Sequence, residues 1–166
     1  MEERKLIFIT LGSQKFQFNR LLQEIDNLCD KGVIQDKVFA QIGYSEYTPK
    51  NFECKKFLNR QEFVEVMERA EIVITHGGTG AIIGAVKKGK KVIAVPRLAK
   101  YGEHVDDHQL QLIEQFNHQH LICGLKDCSE LEEGLNYIAT HTFDIYESNT
   151  GNIIESIEKF IEGEIS

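Results

Sequence analysis

Residues 70–96 read AEIVITHGGTGAIIGAVKKGKKVIAVP, and this stretch decides the fold. Glu71 to Thr75 (EIVIT) is an apolar, β-branched run of strand length that stops at His76-Gly77-Gly78-Thr79-Gly80. Ala81 to Lys88 follows as a helix, and Lys91 to Val95 (KVIAV) is a buried strand stopped by Pro96, which cannot donate to a sheet ladder. A strand, a glycine turn, a helix and a second strand make a crossover unit, and a crossover joins parallel strands.

The alternation continues on both sides. Lys5 to Leu11 (KLIFITL) is an apolar run ending at Gly12-Ser13, a buried strand and its turn. Phe18, Leu21, Leu22, Ile25 and Leu28 recur at helical spacing. Asp36 to Ile42 (DKVFAQI) reads as a strand, Phe52 to Phe57 as a short one, and Gln61 to Ala70 as a helix with Phe63, Val64 and Met67 on one face. Arg97 to Glu103 reads as a polar loop, and Val105 to Phe116 as a helix carrying Leu110, Leu112, Ile113 and Phe116. Leu121 to Cys123 reads as a last short strand, and Ser129 to Ile138 as a helix with Ser129 as its cap. Ile153, Ile154, Ile157, Phe160 and Ile161 mark a terminal helix. The pattern predicts an α/β fold: one Rossmann-like parallel sheet with helices on both faces, a single domain over residues 1–166. Ligands of such sheets bind outside the carboxyl ends of the strands.

Composition narrows the function. Nineteen Lys and Arg against 26 Asp and Glu give a net charge of −7, which argues against a general nucleic-acid binder. The first residues, MEERKLIFIT, lack a secretory h-region and a cleavage site, and no apolar stretch is long enough to span a bilayer. A soluble cytoplasmic protein is the expectation. Cys29, Cys54, Cys123 and Cys128 have no CxxC spacing and are expected as buried free thiols. Trp is absent, so no sugar platform of that type exists.

Two glycine turns close strands and precede helices: Gly12-Ser13-Gln14, and His76-Gly77-Gly78-Thr79-Gly80. Glycine lets backbone N–H groups approach a ligand, and the following helix presents unpaired donors at its positive end. A phosphate or diphosphate is the natural guest, although a double glycine also makes a plain tight turn. Neither GxxxxGK[ST] nor a GxGxxG after the first strand is present. The chain also lacks a DxD triplet, so no metal-held diphosphate is expected. His76 ends a strand and opens a glycine loop, so a base, a phosphate donor and a turn residue are all open to it.

Residues 97–111, RLAKYGEHVDDHQLQ, crowd Arg97, Lys100, Glu103, His104, Asp106, Asp107, His108, Gln109 and Gln111. His104 and His108 are four apart, which a helix would place on one face as a conceivable metal pair, but HExxH is absent. The alternatives are a solvated helix start and hydroxyl recognition by carboxylates and carboxamides. His118 and His120 fit a helix carboxyl end, and His141 the surface. Lys87, Lys88, Lys90 and Lys91 complement a helix dipole, or meet an acidic partner or membrane surface.

The run AEIVITHGGTGAIIGAVKKGKKVIAVP followed by DDHQLQ resembles the C-terminal, donor-binding half of family 28 glycosyltransferases of GT-B architecture. The likeness is to single-domain members that act as half of a two-chain enzyme. Among these are the catalytic subunit of the dolichol-linked UDP-N-acetylglucosamine transferase and bacterial exopolysaccharide and capsule glycosyltransferase subunits. The resemblance runs from Phe8 to about Leu125. It implies a UDP-sugar donor, a lipid-linked saccharide acceptor and no cofactor. It implies transfer of a hexosyl group with inversion and without metal. Gly12, Ser13 and Gln14 would face the donor phosphates; His76, Gly77, Gly78, Thr79 and Gly80 would form the diphosphate loop; Asp107, His108 and Gln109 would contact the sugar. Gly84 departs from the pattern, because relatives often carry there a carboxylate that holds the ribose hydroxyls; Glu103 or Asp106 is the candidate substitute. The acceptor base is left unassigned. By resemblance the other half is a separate membrane-anchored chain that recruits this one to the inner face of the membrane, with Ile153 to Ile161 as a docking candidate. The alternatives are a UDP-sugar sensor and a purely structural Rossmann-like subunit.

Overall fold

The computed structural model describes residues 5–145. Its strands are β1 (Leu6–Thr10), β2 (Lys37–Gln41), β3 (Glu53–Lys55), β4 (Ala70–Thr75), β5 (Lys91–Ala94) and β6 (Cys123–Gly124). They form one sheet in the order β3-β2-β1-β4-β5-β6, and every pairing is parallel. The chain winds outward from β1 in one direction, then returns to β4 and winds in the other. β1 and β4 therefore meet at the point where the winding reverses, with Thr10 opposite Thr75 at their carboxyl ends.

Alternation of side chains along β1 sorts the core into two layers. Ile7 and Ile9 pack with Leu21, Leu22, Ile25 and Leu28 of α1 (Asn19–Asp30) and with Leu131 and Ile138 of α5 (Leu131–Thr140). Leu6 and Phe8 pack on the opposite face. There they meet Met67 of α2 (Arg60–Arg69), Ile82 and Val86 of α3 (Thr79–Lys87), and Leu112, Ile113 and Phe116 of α4 (His108–His118). Burying each of these large side chains stabilises the fold by about 1.5–3 kcal/mol. β1 and β5 are apolar runs because both of their faces are covered.

Asp26 on α1 fixes the loop after β2. Its carboxylate accepts from Tyr47 Oη at 2.6 Å, Lys50 N at 2.8 Å and Asn51 N at 3.0 Å. Burial alone would raise this carboxyl, but those hydrogen bonds more than offset it and hold it below the usual range. The same hydrogen bond pushes the Tyr47 hydroxyl up to about 12.

Several expected boundaries move. The helix after the glycine loop starts at Thr79 rather than Ala81, and the next starts at His108 rather than Val105. Val105 is 75% exposed in the turn before it, so His104 and His108 do not share a helix face. Ser129 is not a cap: its N–H donates to Asp127 Oδ2 at 3.0 Å, and Asp127 caps the short 3-10 turn that leads into α5. Cys123 and Cys128 are buried, whereas Cys29 and Cys54 are half-buried. Of the lysine cluster, Lys90 reaches the Glu68 carbonyl at 3.1 Å and Lys91 the Ile138 carbonyl. The expected helix at Ile153 to Ile161 lies outside the described residues. Among the described residues no helix is long and apolar enough to cross a membrane.

Candidate functional site

The two glycine turns follow β1 and β4 and meet around one ring. His76 directly follows Thr75 and is 4% exposed. Its imidazole lies between Gly12 and Gly78: a Cβ on Gly12 would sit 2.8 Å from His76 Nε2, and one on Gly78 would sit 2.6 Å from the same atom. Gly12 also needs φ of +75°, which side chains adopt at a cost. Only glycine lets both turns close on the ring. Gly77 is held on the other side, where its N–H donates to Gln109 Oε1 at 2.9 Å.

The loop after β4 opens α3. Gly78 is its N-cap, no side chain caps it, and its first ladder bond runs from Ile82 N to Gly78 O at 3.1 Å. The N–H groups of Thr79, Gly80 and Ala81 precede that ladder, at the positive end of the helix. Gly80 is exposed with open space where a Cβ would stand. The first glycine turn differs. Its helix, α1, begins only at Asn19, and that terminus is occupied: Phe18 N donates to Ser45 Oγ at 2.8 Å and Asn19 N to Gln17 Oε1 at 2.9 Å. The expected helix dipole therefore acts at the second loop and not at the first. Ser13 and Gln14 are exposed beside Gly12.

Behind the loops sits Arg97, 1% exposed. Its Nε donates to His76 Nδ1 at 3.3 Å; its Nη1 donates to the carbonyls of Phe16 at 3.0 Å and Gln17 at 2.9 Å; its Nη2 donates to the Leu11 carbonyl. Gln109 completes the hub, with Oε1 accepting from Arg97 N at 3.0 Å and Nε2 3.3 Å from His76 Nδ1. Because Arg97 can only donate, Nδ1 of His76 holds the lone pair, and the neutral ring carries its hydrogen on Nε2. Burial, then the Arg97 charge and His104, push His76 down to about 3. Burial lowers Arg97 to about 10, with Glu103 opposing, so the guanidinium stays charged at neutral pH.

Glu103 is fully buried, and its carboxylate is spent internally. It accepts from Arg20 Nε and Nη2, each at 3.0 Å, and from Leu98 N at 3.0 Å. Arg20 also donates to Asp127 Oδ1 at 2.6 Å. This network clamps the loop after β5 to α1. The segment read as a polar loop thus contributes two buried charges, Arg97 and Glu103. Gln109 faces inward, whereas Asp107 is exposed and accepts from Ala99 N at 2.8 Å; His108 is half-buried, and its N–H donates to Asp106 Oδ1 at 3.0 Å. Gly84 is exposed on α3 with open space around it.

An aromatic pair was not anticipated. Tyr44 and Phe57 pack edge-to-face with centroids 5.4 Å apart, and both are exposed. They adjoin the loops: a Cβ on Gly43 would meet the Gly12 carbonyl at 2.9 Å and Phe57 Cε1 at 4.0 Å. The signal available was position, since both residues follow strand ends on the same edge as Gly12. Among the described residues no cluster of three His, Cys, Asp or Glu forms a metal site.

Residues 6–162 match the glycosyltransferase family 28 C-terminal domain. The chain belongs to this family. Curated relatives include the UDP-N-acetylglucosamine transferase subunit ALG13 of Homo sapiens, 25% identical over 125 residues, 68% of this chain and 10% of that protein. The same subunit of Mus musculus is 24% identical over 136 residues, 75% of this chain and 11% of that protein. The chain thus spans about a tenth of the length of these curated relatives. Among solved structures, the NMR solution structure of ALG13 aligns with a TM-score of 0.65 at 16% identity, covering 94% of this chain and 98% of that one. CalG4, the calicheamicin glycosyltransferase, aligns with a TM-score of 0.58 at 16% identity, covering 95% of this chain and 39% of that one. The fold is the Rossmann-like half of the GT-B architecture.

Proposed function

We propose that this chain is the donor-binding subunit of a glycosyltransferase that moves a hexosyl group from a UDP-sugar to a lipid-linked saccharide, in exopolysaccharide, capsule or glycolipid synthesis. The observation that carries the reading is the convergence of Gly12, Gly78 and the uncapped start of α3 around His76. A diphosphate placed there meets backbone N–H groups of both loops, the helix dipole and the Nε2–H of His76. The exposed Tyr44–Phe57 pair offers the adjoining flat face for the base. Asp107 and His108 orient the donor sugar from the surface of the next loop, while Gln109 and Glu103 serve by holding that loop and the glycine turn in place.

The transfer follows from this placement. An acceptor hydroxyl attacks the anomeric carbon from the face opposite UDP, and the bond to the β-phosphate oxygen breaks with inversion. Fixed N–H donors stabilise the negative charge that grows on that oxygen, without an obligatory metal. His76 does not take the acceptor's proton, because the lone pair on Nδ1 already faces two donors. In this reading the base and the acceptor site belong to a membrane-anchored partner, which recruits the chain to the inner face of the membrane. The word subunit in the names of the curated relatives, and the GT-B architecture with its two halves, support that division.

The test is transfer in a reconstituted system. The chain, combined with membranes carrying its partner and a lipid-linked saccharide, should move label from one of a panel of UDP-hexoses into the lipid fraction. Saturable donor binding with no transfer under those conditions would favour a sensor of UDP-sugars instead.

A further inference from the structure

Arg97 differs from the other site cation in how its charge is met. Arg20 forms ion pairs with Glu103 and Asp127 at 3.0 and 2.6 Å. Arg97 is as good as fully buried, yet its side-chain bonds run to three backbone carbonyls and to the uncharged nitrogen of His76. The Phe18 ring lies against it, with its centroid 5.2 Å from the guanidinium carbon. Glu103 is the carboxylate that acts on Arg97, and both Glu103 oxygens are already engaged by Arg20 and Leu98 N. Arg97 thus shares its one acting carboxylate with Arg20 and bonds directly only to neutral groups, so a further anion nearby would offset the remaining cost of burying the cation.

The geometry of the bonds says where that anion sits. Three of the four side-chain bonds hold the segment Leu11 to Gln17, which contains the first glycine turn. The fourth enters Nδ1 of His76, whose opposite nitrogen lies in the gap between Gly12 and Gly78. Donation into one ring nitrogen polarises the N–H at the other, so the charge is relayed toward that gap. We infer that Arg97 is the positioning residue and fixed positive charge of this site, selecting a ligand with a diphosphate over the same ligand without one. This rests on the nucleotide reading above and adds the residue that sets its charge preference.

The experiment is an NMR-detected titration of the full chain with UDP, uridine and inorganic pyrophosphate, in wild type, Arg97→Lys and Arg97→Gln. Arg97→Gln should weaken UDP and pyrophosphate by roughly tenfold or more while uridine changes by less than about threefold; Arg97→Lys, which keeps the charge, should stay closer to wild type for UDP. A purely structural role would weaken uridine and UDP alike, and that result, or an unchanged preference for UDP over uridine in Arg97→Gln, overturns the inference. If neither variant folds, the wild-type Arg97 Nε–H resonance decides: it should move with UDP and pyrophosphate and stay still with uridine, and equal behaviour with all three overturns the inference. Wild type binding pyrophosphate through Arg97 but not UDP would sink the nucleotide reading and leave the role of Arg97 standing.

Discussion

The ring of His76 occupies the space that a side chain on Gly78 would need, with a Cβ there falling 2.5 Å from Cε1 and 2.6 Å from Nε2. The backbone of Gly78 is extended (φ −76°, ψ 124°), so the glycine is demanded by the ring and not by the dihedrals. Gly78→Ala should therefore cost about 2 kcal/mol of stability and weaken UDP by about tenfold or more. In a His76→Ala background the same substitution should cost less than about 0.5 kcal/mol, because the clash is gone. Urea unfolding of the four proteins of this cycle measures the coupling; additive costs would place the ring elsewhere.

His76 also gives stability a pH signature. Its folded value, about 3, lies below the ordinary 6.5, so the unfolded chain binds the extra proton. Stability from this group is present above about pH 6.5 and is lost as pH falls toward 3, with a slope of up to about 1.4 kcal/mol per unit. Asp26 and Asp127 are held below 3.8, so their contributions fall away at lower pH and in the same direction. Urea midpoints between pH 7 and 4.5 should decline in wild type and flatten in His76→Asn; equal slopes would show a ring that is protonated in the fold.

Glu103 holds the loop that carries Asp107 to Gln109. Glu103→Ala strips the fully buried partner from Arg20 and leaves Leu98 N without its acceptor. Arg20 retains 21% side-chain exposure and its bond to Asp127, so the expected cost is about 3 kcal/mol, at the lower end for a broken buried pair. UDP affinity should change less than the preference among UDP-sugars, since Glu103's own bonds run to Arg20 and Leu98 N and none runs to the glycine turns. Calorimetric titration with UDP and several UDP-hexoses checks it, and a selective loss of UDP itself would contradict the assignment.

Gly84 sits on an exposed face of α3, where a methyl group in place of its hydrogen would have nothing within 4 Å. Gly84→Ala should raise stability by about 0.5–1 kcal/mol through helix propensity. Gly84→Glu, which places on α3 the ribose-binding carboxylate that the family resemblance implies, should strengthen UDP relative to 2′-deoxy-UDP. A thermal melt and a paired titration measure the two effects; a destabilised Gly84→Ala would mean that this face is covered.

The strands and the HGGTG loop were legible because their signals are local. A buried parallel strand is a continuous apolar run, and a glycine cluster at its end is a turn. The charged residues of 97–109 were not legible in the same way. Arg97 bonds to Leu11 across 86 positions and Arg20 to Glu103 across 83, so the partners that bury them are invisible to any short window. Val105 looked helical by its apolar neighbours, but Asp106 and Asp107 spend their carboxylates on His108 N and Ala99 N and hold a turn there. Asp127 displaced Ser129 as the cap because it alone reaches the Ser129 N–H while Glu130 closes the capping box.

In the proposed donor complex the amides of two glycine loops hold a nucleotide diphosphate at the junction of β1 and β4. Amide chemical shifts of the full chain, recorded during a titration with UDP, test it most directly. Saturable shifts, largest at Gly12, Gly78, Thr79 and Gly80, are the expected result. Absence of shifts at millimolar UDP, or shifts centred at the amino ends of the strands around Lys5 and Asp36, would contradict it.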